Sequence, residues 1–291
     1  MIYDESETTV ERIEDAKSSF PLLSQMFVEK GEKKDWDAMH HLHYKTEGKP
    51  FGPSYFKLTL YGETIGVCVL TMPKGMMKER HAVMPEIKPG GNSRAANTAR
   101  YQMINANFRV VGRIVVDTMF RGIGVSYRFQ NLVARQSGRK FVEIQSSMSK
   151  YNKFSERAGF EPSKIIRSTK YETGIKFFRS NFEAHPADAQ AILDELDGLR
   201  PAVARARINN MRRFYYANSA QEKTGNARGN GTSRVDDMPV KELLRNLQQL
   251  VLASPLYNVY TNPDFGRELP AKLPLSDFDN QSVKEPLIYG R

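Results

Sequence analysis

The chain has 291 residues, 40% of them hydrophobic, and a formal net charge of +10. That is enough for one large domain, or for one domain with an appendage. The single cysteine, Cys68, lies in the apolar run 65–70 and excludes a disulfide framework or a cysteine zinc site within one chain. No apolar run approaches a membrane span and residues 1–20 are acidic, so the sequence reads as a soluble, cytoplasmic protein with no membrane contact.

In chain order, residues 10–30 have mixed apolar spacing and read as one or two helices. Residues 33–44 follow as a helix, with Trp36, Met39 and Leu42 at helical spacing. Residues 56–61 and 64–71 flank Gly62-Glu63 as a hairpin. Residues 72–91, rich in Met, Pro, Gly and Lys, suit a mobile loop over a site. A helix over 93–105 starts at Ser93 as its cap.

The informative stretch is 113–160. A strand-like run, 113–117, enters the turn Phe120-Arg121-Gly122-Ile123-Gly124-Val125-Ser126 and then a helix to about Arg135. A second strand, 140–145, precedes Tyr151-Asn152-Lys153-Phe154-Ser155-Glu156-Arg157-Ala158-Gly159-Phe160. A strand, glycine turn and helix leave N–H groups unpaired at a helix N-terminus, where the dipole favours an anion. Glycine lets that backbone approach a pyrophosphate with no side chain between them. The plain reading of the same stretch is an ordinary strand–turn–helix unit. Residues 164–171 alternate well enough to close the sheet.

Taken together, Arg121-x-x-Gly124-x-Ser126, Asn152 and the run 155–160 resemble the GNAT superfamily of N-acetyltransferases, over about residues 36–171. The resemblance implies an α/β fold: a mixed sheet of six or seven strands, splayed where acetyl-CoA or another acyl-CoA enters, with a mostly helical C-terminal extension. It implies cofactor contacts from Val115, Val116, Arg121, Gly122, Ile123, Gly124, Val125, Ser126 and Asn152. His40, His41 and His43 have no nearby Cys or carboxylate at ligand spacing, so no metal is expected. The Glu that many members carry before the cofactor strand is Arg113 here, and the Tyr four residues before Gly-Phe is Ser155, a poorer proton donor. Candidates for the proton chemistry are Glu143, Tyr151, His43 and Tyr44, with Ser155 at the family position. For Glu143 the competing reading is a salt bridge with a neighbouring base.

A finer similarity runs through His43-Tyr44, 113–116, 120–124, 141–143 and 151–159. It points to the branch that holds Mom-type phage DNA-modification enzymes and acetyltransferase-like domains fused to ABC-type ATPases. It implies an acyl-CoA-dependent N-acyltransferase acting on a nucleic-acid base or base-linked amine. The alternatives are a protein or small-molecule amine acceptor, or a non-catalytic binding protein on the same scaffold.

Residues 107–170 carry thirteen Lys/Arg against four acids, and 200–234 carry eight against one. Clustering of that kind favours a polyanionic partner, and the finer resemblance implies DNA ahead of RNA. Arg200, Arg205, Arg207, Arg212 and Arg213, with Tyr215 and Tyr216 as stacking surfaces, form the expected nucleic-acid arm. The expected organisation is an N-terminal helical segment (1–30), the acyltransferase domain (31–180), a basic helical extension (181–218), a flexible linker (219–238), then a short helix and a Pro-rich tail (239–291). A homodimer is the expected assembly, in the host cytoplasm if the chain is phage-encoded.

Overall fold

A computed structural model describes residues 21–43, 51–88, 90–91, 93–146, 149, 152–163, 169–223, 229–252 and 255–290. A 3-10 turn, Pro21–Gln25, leads into β1 (Met26–Lys30), then α1 (Lys33–Met39), β2 (Ser54–Leu60) and β3 (Glu63–Thr71). Next come α2 (Lys78–Val83), α3 (Arg94–Asn107), β4 (Phe108–Val116), α4 (Val125–Gln136), β5 (Phe141–Ser146), α5 (Phe154–Arg157) and β6 (Glu161–Pro162). The helical part is α6 (Thr169–Asn181), α7 (Ala189–Asp197), α8 (Pro201–Asn218), α9 (Ala220–Lys223), α10 (Ser233–Asp236) and α11 (Val240–Leu252). β7 (Leu256–Thr261) and β8 (Lys272–Pro274) follow. The strands form one mixed eight-stranded sheet, ordered β6-β7-β5-β4-β3-β2-β1-β8.

Local sequence accounts for most of these elements. Ser93 caps α3 by accepting from Ala96 N–H at 3.2 Å. Tyr61 (φ 51°) and Gly62 (φ 91°) both take positive φ, the signature of a type I′ hairpin turn, so the turn centres one residue before Gly62-Glu63. In α4, Val125, Phe129, Leu132 and Val133 share a face, are all fully buried, and pack on the sheet beside Leu58, Cys68, Val116 and Ile144. Each such side chain stabilises the fold by about 1.5–3 kcal/mol relative to exposure.

Three expectations are corrected. Residues 26–30 are a strand and not helix, because Met26 and Val28 alternate inward and their main chain pairs with both β2 and β8. Tyr171 belongs to α6, so the expected strand over 164–171 is absent at its described end. Residues 239–291 are not an appended tail. β7 inserts between β5 and β6, and β8 adds the eighth strand beside β1. The tail's Leu273, Leu275 and Leu287 enter the main core. Fully buried Arg135 of α4 ties this segment down, donating to Asp264 Oδ2 (2.5 Å), Glu285 O (2.9 Å) and Val283 O (3.2 Å).

The helices from α6 to α11 therefore form an insertion between β6 and β7, and they bury a core of their own. Phe178, Ile192, Leu196, Met211, Leu243 and Leu247 are among its members. The expected linker over 219–238 contains α10, with Val235 and Met238 buried in that second core.

Candidate functional site

β4 and β5 run parallel but pair only at Phe108–Phe141, Arg109–Val142 and Val110–Glu143. The β3–β4 register shifts after Val69, leaving Gly112 as an extra residue in β4. A bulge bends and twists its strand, and beyond it β4 diverges from β5. Strand divergence opens a cavity of ≈ 430 Å³ whose walls include Ile114, Val116, Phe120, Ile144, Gln145 and Phe154.

One wall of that cavity is an unpaired strand edge. Asp117 N–H donates to Ile65 O on β3 at 2.8 Å. By alternation along the strand, Arg113 and Val115 spend their main-chain groups on β3, while Ile114 and Val116 turn theirs into the gap. Arg121 Nε already donates to Val116 O at 3.0 Å, which leaves the Val116 N–H facing the cavity. Val115 thus differs from its expected role. It lines the cavity, but its side chain packs with Met39, Val67 and Val69.

The turn after β4 supplies the second wall. Gly122 (φ 86°) and Gly124 (φ 84°) are left-handed, a conformation that costs other residues about 1–2 kcal/mol. A Cβ on Gly122 would meet nothing within 4 Å, whereas one on Gly124 would lie 2.6 Å from Arg128 Nη1. Gly124 caps α4 without a side chain, so the first N–H groups of the helix are not satisfied by a cap. Arg121, Gly122 and Ser126 line the cavity, Ile123 is exposed, and Val125 is buried in the core, contributing only its main chain at the helix start. Arg128, which sequence reasoning passed over, donates to Gly124 O at 3.0 Å and forms a two-bond pair with Asp279 (2.8 and 3.0 Å).

His43 and Asn152 reach the same cavity. His43 sits at the end of the turn after α1 with its ring edge-on to Trp36, centroids 6.0 Å apart. Asn152 accepts from Phe154 N–H at 3.1 Å, which fixes it at the mouth of α5. Tyr44 and Tyr151 lie outside the described residues.

Two expected proton-transfer residues are not in the cavity. Glu143 is fully buried and bound by fully buried Arg80, with Nε–Oε2 at 2.9 Å and Nη2–Oε1 at 2.6 Å. Glu143 thus forms the salt bridge of the competing reading, and its partner is a distant residue of α2. Burial and then the Glu143 charge push the neighbouring Tyr257 phenol far above its usual range, so it stays neutral. Ser155 is 1% exposed, and its Oγ lies 3.3 Å from Gln130 Oε1 on α4, away from the cavity. Arg80 also changes the reading of 72–91. That segment is fastened to the sheet, with Arg80 Nη1 donating to Lys74 O at 2.8 Å.

No protein-family model matches the chain, and no curated protein does. Among solved structures, an apo form of a serine-to-alanine variant of agmatine N-acetyltransferase is 16% identical, covering 48% of this chain and 84% of that one at a TM-score of 0.31. A likeness that distant bears no weight for function, which rests on the cavity itself.

The expected nucleic-acid arm is reorganised by the second core. Tyr215 is buried there at 4% exposure and has no free face for a base. Arg207 pairs with Glu195 and lies over the Phe182 ring at 5.7 Å, so a local acid does neutralise it. Arg200, Arg205 and Arg213 are exposed, Arg213 donating to Asn210 at 2.7 Å. Arg212 and Tyr216 are half-buried beside Arg213 in a cavity of ≈ 370 Å³ between α8 and residues 232–236. Among the described residues, no group of three or more His, Cys, Asp or Glu is placed to hold a metal, and no helix is long and apolar enough to cross a membrane.

Proposed function

We propose that the chain is an acyl-CoA-dependent N-acyltransferase of the GNAT kind. Its acceptor, on this reading, is an amine on or attached to a nucleic-acid base. The observation that carries the first part is the conjunction at one cavity of an unpaired β4 edge and an uncapped α4 N-terminus reached through two left-handed glycines. An extended amide-bearing arm needs the first, and a pyrophosphate needs the second.

Bound acyl-CoA supplies a thioester carbonyl open to attack by an amine. The chain's own residues do the rest. Ile114 and Val116 hold the arm through main-chain groups, and the N–H groups opening α4 take the phosphates with Arg121 beside them. Phe120, Phe154, Ile114 and Ile144 keep water from the cavity walls. With Glu143 and Ser155 withdrawn, His43 is the described cavity residue suited to take the amine's proton. The base-linked acceptor is supported by the net charge of +10 and its concentration in residues 107–170.

Calorimetry with acetyl-CoA tests the cavity. Wild-type protein should bind, and Gly124→Glu, which adds a carboxylate and a strained backbone at the helix start, should not. Equal affinities, or none for the wild type, would remove the reading. The withdrawal of Glu143 and Ser155 favours one rival, a protein that binds acyl-CoA without transferring it. Tight binding with no acyl product on DNA, RNA, protein or free amines by mass spectrometry would select that rival.

A further inference from the structure

A second cavity, ≈ 430 Å³, opens at the opposite end of α4, where β1 ends and β4 begins. Since α4 has twelve residues and rises about 1.5 Å per residue, the two ends stand roughly 18 Å apart. Lys30, Arg109 and Arg139 line this cavity with Ser54, Gln136 and Ser137, and no carboxylate is among its lining residues. None of the three cations is ion-paired among the described residues, whereas Lys57 on neighbouring β2 pairs with Glu29.

The two guanidiniums are held in place through one nitrogen each. Arg109 Nη1 donates to Asn105 O (2.8 Å) and Phe108 O (2.7 Å), and Arg139 Nη1 donates to Ala106 O (2.9 Å). Asn105 and Ala106 are in the last turn of α3, so a plain reading makes both arginines caps of that helix. Charge decides against that reading as a full account. A helix C-terminus carries about half a negative charge, so the ends of α3 and α4 together offset about one of three cations. Roughly two positive charges are left, close to the −1.5 to −2 of a phosphate monoester near neutrality. Burial and then the Arg139 charge hold the Arg109 guanidinium below its ordinary range.

We infer that Lys30, Arg109 and Arg139 form a phosphate-binding site, separate from the β4–β5 cavity and independent of the acyltransferase reading. The phosphate belongs either to a free phosphorylated small molecule or to a nucleic-acid strand.

Thermal melts of the full chain with inorganic phosphate, against sodium chloride at matched ionic strength, test it. Phosphate should raise the melting temperature saturably. Its apparent affinity should fall about tenfold or more in Arg109→Gln/Arg139→Gln and be unchanged in Gly124→Glu. Should the double variant unfold, Lys30→Gln, at an exposed side chain, should still weaken phosphate several-fold. No saturable effect beyond sodium chloride overturns the site. So does retained affinity in the folded double variant or in Lys30→Gln, or loss in Gly124→Glu instead, which would put the anion at the α4 N-terminus. A short oligonucleotide with a 5′-phosphate, compared with its 5′-hydroxyl form, separates the sources. Tighter binding of the phosphorylated form that is lost in the variant, or equal binding that the variant weakens, assigns the site to nucleic acid, and equal binding that the variant leaves unchanged assigns it to a small molecule.

Discussion

Glu143 and Arg80 are both fully buried and joined by two short hydrogen bonds at the point where β4 and β5 begin to part. Removing one partner of such a pair leaves the other charge without compensation, at a cost of about 3–5 kcal/mol. Glu143→Gln should therefore lower the unfolding free energy by an amount in that range, measured by urea denaturation. Arg80→Met/Glu143→Leu should recover most of it, because neither ion then needs solvating in the interior. A Glu143→Gln protein with full stability and no turnover would return Glu143 to the chemistry. From sequence, the carboxylate on the strand beside the cofactor strand was visible, and so was the salt-bridge alternative. Its partner was not, because Arg80 is 63 positions away on a segment whose composition resembles a loop.

α8 shows how an amphipathic helix redistributes a run of like residues. Its arginines look equivalent in sequence, yet helical spacing turns Met211 and Tyr215 into the second core, sets Arg207 against Glu195, and leaves Arg205 and Arg213 outward. The nucleic-acid proposal now rests on the outward set with Arg200. Arg200→Glu/Arg205→Glu/Arg213→Glu should weaken DNA binding and flatten its salt dependence by about 0.7–0.9 log units for each phosphate no longer neutralised, with the melting temperature unchanged. Arg207→Glu, by contrast, places two carboxylates together and should lower the melting temperature. Anisotropy titrations at two salt concentrations, run beside thermal melts, check both. A triple variant that binds DNA like the wild type removes α8 from the interface.

At the scale of the whole molecule, the two largest hydrophobic cores among the described residues share one chain. The sheet core draws on residues from Leu23 to Leu287, whereas the second core lies between Ile175 and Leu252. Pro162 on β6 pairs with Asn258 on β7, so the two ends of the helical insertion meet at adjacent strands. Replacing residues 164–254 with a short Gly/Ser linker, which closes as a hairpin at little entropic cost, should give a folded protein that still binds acetyl-CoA. Circular dichroism and calorimetry decide this. A chain that fails to fold would mean that the insertion stabilises the sheet.

The sequence by itself determined the elements whose signals are local: the Ser93 cap, the β2–β3 hairpin, and the strand–glycine turn–helix from β4 to α4. It also located the cavity's Arg121, Gly122 and Ser126, since a turn and the residues flanking it are close in space because they are close along the chain, while Asn152 and His43 were legible only through the family resemblance. The tertiary structure alone decided what depends on distant pairing. It placed β7 between β5 and β6 across the helical insertion and brought Arg80 to Glu143. It gathered Lys30, Arg109 and Arg139 at one end of α4. Hydrogen-bonded strand edges and buried charges select partners by geometry and desolvation, and neither leaves a periodic trace in a linear sequence.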